Sequence, residues 1–151
     1  MVTKAMASNQ SLYTQDFYAW ANEQAKLLRE GKIAQADIPN IAEEIESMGR
    51  SERRELISRL TVLLLHLLKW KYQPSLQGGN WEISIREQRR RTLEHLDENP
   101  SLKASLDEIM RAAYNNAIGD AELQTGLERG AFPAVCPWSF DQAMNADWLP
   151  E

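Results

Sequence analysis

The feature that most restricts the fold of this chain is its longest apolar run, LTVLLLHLL, over residues 60–68. The run is about half as long as the roughly 20 residues that a membrane-spanning helix requires. On a helix with about 100° per residue, the leucines cover half of the circumference, while Val62 and Leu65 add apolar surface on the other side. Such a helix must be surrounded by other helices. The leucine stripe consists of Leu56, Leu60, Leu63, Leu64 and Leu67.

Other segments with a helical pattern predict an all-α fold, and no alternating pattern is long enough for a strand. The second helix carries a further apolar stripe, and Gly49 either breaks or bends it. We expect a single-domain bundle of four to five main helices, with an irregular C-terminal segment, which follows Gly126, packed over it. Residues 1–10 are predicted to be a flexible leader and residues 11–151 the domain. Helices are expected over 15–31, from about Asp37 to Gly49 with a continuation to about Tyr72, over 81–97, and from Pro100 to about Gly126. Their expected caps are Thr14, Ser51 for the continuation, and Asn80, with Ser139 capping a short last helix.

A set of polar residues shares the predicted inner faces. Gln24, Gln88 and Arg89 are expected inside the bundle, and Glu44 and His66 near its rim. An arginine inside a core requires a carboxylate, so we predict a Glu44–Arg89 pair. A structural polar layer that fixes helix register is the favoured interpretation. The alternative is a site for an anionic or polar ligand, with Arg89 as the anion anchor and His66 as the proton-transfer group.

The histidines and the cysteine give little support to catalysis. Di-iron bundles use Glu-x-x-His motifs, whereas the positions three residues before His66 and His95 hold Leu63 and Thr92. Two histidines exclude a three-histidine site, although mixed carboxylate sites escape this spacing test. We therefore predict no metal and no cofactor. The lone Cys136 is expected to be a small buried hydrophobe, and a single cysteine fits a reducing, cytoplasmic setting.

Charge and targeting signals disfavour nucleic acid and membranes as partners. The formal net charge is −5, and the arginine runs 53–54 and 89–91 are interleaved with glutamates that cancel much of their field. The first residues contain no apolar segment typical of a secretory signal.

Aromatic residues near loops and the tail are candidates for a protein interface, because tryptophan and tyrosine combine apolar area with a polar group. The favoured alternative is that the tail tryptophans fix the C-terminal segment onto the bundle. The candidates are Trp70, Tyr72, Trp81, Trp138 and Trp148.

Ordered sequence blocks resemble the bacterial family called domain of unknown function family 29. The blocks include LYTQDFYAWANEQAKLLREGK, NIAEEIESMGRSERRELISRL, HLLKWKYQP, IREQRRR, NPSL and FPAVCPW, over roughly residues 11–150. The resemblance implies an all-helical single domain and no activity.

The sequence therefore favours a small, non-catalytic protein–protein interaction module, acting with a protein partner or by self-association. The alternative function is a ligand-binding protein or enzyme that uses Glu44, His66, Gln88 and Arg89.

Overall fold

A computed structural model describes residues 12–151, and the predicted leader over residues 1–10 lies outside this range. The described residues contain helices and no strand, which confirms the all-α prediction. None of these helices is both long and apolar enough to cross a membrane. The α-helices are α1 (Phe17–Arg29), α2 (Ile38–Tyr72), α3 (Gly79–Glu98), α4 (Leu106–Thr125) and α5 (Phe140–Met144). Short 3-10 helices occupy Ile33–Gln35, Pro74–Leu76, Pro100–Ser105 and Arg129–Ala131.

Helix α2 has 35 residues and continues through Gly49. Gly49 therefore does not break the helix, and Ser51 lies inside it instead of capping a new one. Internal contacts divide the chain into two compact units, the first ending at Arg50 and the second formed by Ser51–Glu151. The predicted single domain over 11–151 stays a prediction.

The core of the second unit is built on the leucine stripe of α2. All five stripe residues are fully buried, and even Leu65 on the other side is only 5% exposed. They form one apolar cluster with residues of α4, among them Ile109, Ala113 and Ala117. Burial of a leucine side chain contributes about 1.5–3 kcal/mol relative to exposure, so this stripe accounts for much of the unit's stability.

Local capping differs from the prediction at two helices. Asp16, not Thr14, caps α1, and its carboxylate accepts a hydrogen bond from the Ala19 N–H at 3.0 Å. Gly78, not Asn80, precedes α3. The predicted cap Ser139 is confirmed, because its hydroxyl accepts from the Gln142 N–H at 3.1 Å.

The last long helix also begins later than the sequence suggests. Pro100 opens a 3-10 segment, and α-helical geometry starts only at Leu106. The helix ends as predicted at Gly126, whose φ of 76° belongs to the left-handed region that glycine adopts without strain.

In the first unit, buried hydrogen bonds connect α1 with the start of α2. The Trp20 indole N–H donates to the Asp37 carboxylate at 3.0 Å, and the Asp37 N–H donates to the Gln24 side-chain oxygen at 2.7 Å. These bonds satisfy polar groups in a place where few apolar residues are fully covered.

Candidate functional site

The apolar stripe at the start of α2 is exposed, although a stripe of this kind normally faces a bundle interior. Ile38, Ile45 and Met48 are 45%, 58% and 61% exposed, and Ile41 is half-buried. We call these four residues the isoleucine stripe. Their spacing of three, four and three residues is that of the a and d positions of a coiled coil. An uncovered seam of this kind is typical of a surface that contacts another helix.

The three carboxylates beside the isoleucine stripe each have a partner within the chain. Arg50 lies 2.9 Å from Glu43 and 3.9 Å from Glu46, measured between nitrogen and oxygen atoms. The Tyr13 hydroxyl donates a hydrogen bond to Glu44, and this bond raises the pKa of Tyr13 above its ordinary value. Covering the stripe would therefore leave each of these three carboxylates with a hydrogen bond or an ion pair.

Arg89 is buried, as predicted from its helix face, with only 6% of its surface exposed. Its guanidinium Nε donates to the Ala143 carbonyl and its Nη2 donates to the Trp148 carbonyl, both at 2.8 Å. Burial lowers the pKa of Arg89, since removal from water disfavours the charged form. The predicted Glu44–Arg89 pair is thus wrong. Backbone carbonyls of the C-terminal segment bind Arg89, and Glu44 is bound by Tyr13 in the first unit.

The other members of the predicted polar set have separate local partners. Gln24 is 3% exposed and its side-chain oxygen accepts from the Asp37 N–H, while its side-chain nitrogen has no partner among the described residues. The His66 ring nitrogen Nδ1 lies 2.8 Å from the Val62 carbonyl oxygen, and burial lowers the pKa of His66.

Gln88 lines a cavity of about 250 Å³ with Glu55, Arg59 and Val62. Its buried side-chain oxygen has no hydrogen-bond partner within residues 12–151. Arg89 lines a different and larger cavity. Neighbouring positions on one helix can face different cavities because successive side chains are about 100° apart.

The predicted interface aromatics pack within the second unit. Trp138 is 7% exposed, and its ring centroid lies 5.7 Å from that of Trp148. Tyr72 contacts Phe132 with ring centroids 5.1 Å apart. Trp70 packs against the apolar cluster that contains the leucine stripe. The Lys69 ammonium lies 5.7 Å from the Trp81 ring centroid.

His95 is the residue that the sequence analysis missed. It is 5% exposed, and its Nε2 lies 2.8 Å from the Glu52 carbonyl oxygen and 3.4 Å from the Glu52 carboxylate. Its Nδ1 lies 3.7 Å from Glu55. Among residues 12–151, Glu52, Glu55 and His95 form a group that could hold a metal ion, because their ligand atoms all lie within 4.8 Å of one another. Glu52 lies 43 residues before His95 in sequence, and Glu55 lies on the same helix as Glu52, so motif spacing could not reveal the cluster.

The outer face of α3 carries the charge pairs expected from the sequence. Arg91 lies 2.7 Å from Glu87, and Arg90 lies 2.6 Å from the same carboxylate. Hydrogen bonds from both arginines lower the pKa of Glu87 to about 2. Positive charge on this face is therefore largely compensated, which makes it a poor match for nucleic acid phosphates.

Cys136 has the environment of a structural thiol. The residue is half-buried and its S–H donates to the Trp138 carbonyl at 3.3 Å. Burial raises the pKa of the thiol, so the reactive thiolate is disfavoured.

Comparison with known protein families identifies the family of this chain. The family model described as domain of unknown function DUF29 matches residues 12–149. The chain belongs to this family. Membership in DUF29 confirms the resemblance of the ordered sequence blocks, and it assigns no activity to any residue. No curated protein and no solved structure matches the chain.

Proposed function

We propose that this DUF29 chain is a non-catalytic, cytoplasmic protein–protein interaction module that self-associates through the isoleucine stripe. The observation that carries the proposal is an exposed coiled-coil seam, formed by Ile38, Ile41, Ile45 and Met48. A partner that covers these side chains would gain about 25 cal/mol of stabilising free energy for each Å² of apolar surface removed from water. The cytoplasmic setting is supported by the single cysteine.

A second copy is the partner that the stripe fits best. Symmetric pairing places the same seam on both sides, so side chains of matching size and spacing meet across the axis. The neighbouring Glu43 and Glu46 already pair with Arg50. They therefore repel the same residues of a second chain less strongly than two unpaired carboxylates would. The seam consists mainly of isoleucine, a residue that coiled coils favour at contact positions.

The polar set offers less support for the alternative, an enzyme or ligand site built from Glu44, His66, Gln88 and Arg89. Each of the first two is bound locally, Glu44 by the Tyr13 hydroxyl and His66 by the Val62 carbonyl. Gln88 and Arg89 line different cavities. General acid–base catalysis needs groups that converge on one reacting atom.

Sedimentation velocity over a wide range of concentrations tests the proposal with two matched variants. Ile45→Glu places a charge in the seam, where it would be buried in the dimer without a partner. Ile83→Glu is the control, because Ile83 is 55% exposed, similar to Ile45 at 58%, and lies on α3. We expect the wild type and Ile83→Glu to associate equally, and Ile45→Glu to remain monomeric at concentrations that dimerise the wild type.

Two results would overturn the proposal. A wild-type protein that stays monomeric at every concentration would exclude self-association, and equal effects of both variants would exclude the isoleucine stripe as the interface. Circular dichroism of each variant would verify that the helices remain folded.

A further inference from the structure

A mainly apolar cavity of the second unit lies beside α3 and the C-terminal segment. Its volume is about 550 Å³, which lies within the range of small-molecule sites. Ile85 and Leu93 line it from α3, and Met144 and Leu149 line it from the C-terminal segment. Leu93 is 49% exposed, whereas Ile85 and Leu96 on the same helix are each 2% exposed. The cavity therefore offers an apolar surface that residues 12–151 do not fill.

Arg89 places an incompletely bonded guanidinium at this cavity. Two of its three nitrogens, Nε and Nη2, bind backbone carbonyls, which are neutral acceptors. Nη1 has no hydrogen-bond partner in the described chain. It is not fully buried, so a ligand can reach it. Since a buried cation requires an anion or full hydrogen bonding, Nη1 provides a donor suited to an anionic group.

The remaining charges at the cavity reinforce this preference. Arg86 lines the cavity, is exposed and makes no ion pair within residues 12–151. Arg90 also lines it, but its guanidinium is held by Glu87 and Glu94. Glu82 is the one carboxylate among the lining residues, against two arginines without a carboxylate partner. The cavity thus combines net positive charge with a mainly apolar lining.

We propose that this cavity binds a small amphiphilic monoanion, an aliphatic carboxylate whose head contacts Arg86 and Arg89. Two guanidinium groups can receive the two oxygens of a carboxylate through charge-assisted hydrogen bonds. The aliphatic tail lies against Ile85, Leu93, Met144 and Leu149. This binding site belongs to the second unit, whereas the isoleucine stripe belongs to the first, so either proposal can fail without the other.

Isothermal titration calorimetry with three probes tests the chemistry of the ligand. Decanoate carries both the head and the tail, decanol lacks the charge, and acetate lacks the tail. We expect decanoate to bind at one site per chain and the other two probes to bind at least tenfold more weakly. Equal binding of decanol would overturn the assigned role of the arginines, and absence of decanoate binding would overturn the proposal.

Variants then locate the site. Arg86→Gln and Leu93→Asp are expected to weaken decanoate binding about tenfold or more, because each removes a contact from an exposed position. Arg54→Gln and Leu123→Asp are the matched controls, since both residues are exposed and neither lines this cavity. Decanoate binding that is unchanged in both test variants, or equally weakened in both controls, would show non-specific adsorption and contradict the site.

Arg89 itself requires separate treatment, because its replacement also removes the bonds to Ala143 and Trp148. Arg89→Lys keeps the charge and loses the planar donor geometry, so we expect weaker decanoate binding with helix content retained. If Arg89→Lys does not fold, the results for Arg86 and Leu93 decide the proposal.

Discussion

The two halves of α2 have similar apolar patterns and opposite environments. In the half that belongs to the second unit, Leu60 and Leu64 are fully buried, whereas in the other half Ile45 and Met48 are more than half exposed. Both stripes follow helical spacing in one continuous helix. The comparison shows that the period of apolar residues specifies a helix face, while the elements that pack there decide whether the face is covered.

The difference has a physical cause in what each half can contact. The leucine stripe meets small and apolar residues of α4, such as Ala113 and Ala117, which allow close helix packing in one cluster. In the first unit the buried contacts are largely the polar bonds of Asp37 with Trp20 and Gln24. In the proposed dimer, a second chain would give the isoleucine stripe the same cover.

The largest expected effect is a difference in unfolding free energy between a truncation in the buried half of α2 and one in the exposed half. Leu64→Ala should lower the free energy of unfolding by about 2–5 kcal/mol, because it leaves a cavity in a closed core. Ile45→Ala should change it by less than about 0.5 kcal/mol in the monomer, because its side chain is already in water. Urea denaturation at low protein concentration measures both. Similar losses for the two variants would mean that the halves are equally packed.

A smaller effect is expected at Gly49, which lies next to the boundary between the two halves. Gly49→Ala should stabilise the protein by about 0.5–1 kcal/mol, because a methyl group there meets no atom within 4 Å and alanine favours helix. Gly126→Ala is the contrasting control and should destabilise by about 1 kcal/mol, since its φ is +76°. Thermal denaturation measures both changes, and a loss of stability in Gly49→Ala would contradict a regular helix at this position.

The smallest expected effect is a pH dependence from His66 in the buried half. Burial lowers the pKa of His66 below that of the unfolded chain, about 6.5, so the unfolded state takes up the proton first as the pH falls. Wild-type stability should therefore fall from about pH 7.5 to 5.5 more steeply than that of His66→Gln. Urea denaturation at each pH gives the comparison, and parallel profiles would rule out this contribution.

Much of the fold could be predicted from the sequence because its signals are local. The leucine stripe, the glycine that ends α4 and the Ser139 cap depend on neighbours within one helical turn. The start of α1 was predicted wrongly, because Thr14 and Asp16 are both suitable caps and only the path of the chain selects Asp16.

The site was predicted less well. The inward face of Arg89 followed from helical spacing, but its carbonyl partners are more than 50 residues away.

The sequence by itself determined that this chain forms helices, that α2 has an apolar face along its length, and that Arg89 and Gln24 point inward. These properties follow from residue spacing around a helix. Only the tertiary structure decided which part of that face is covered, that Arg89 binds Ala143 and Trp148, and that His95 lies beside two glutamates. Such outcomes depend on which distant segments pack together, because burial and hydrogen bonding between helices join residues that local spacing does not relate.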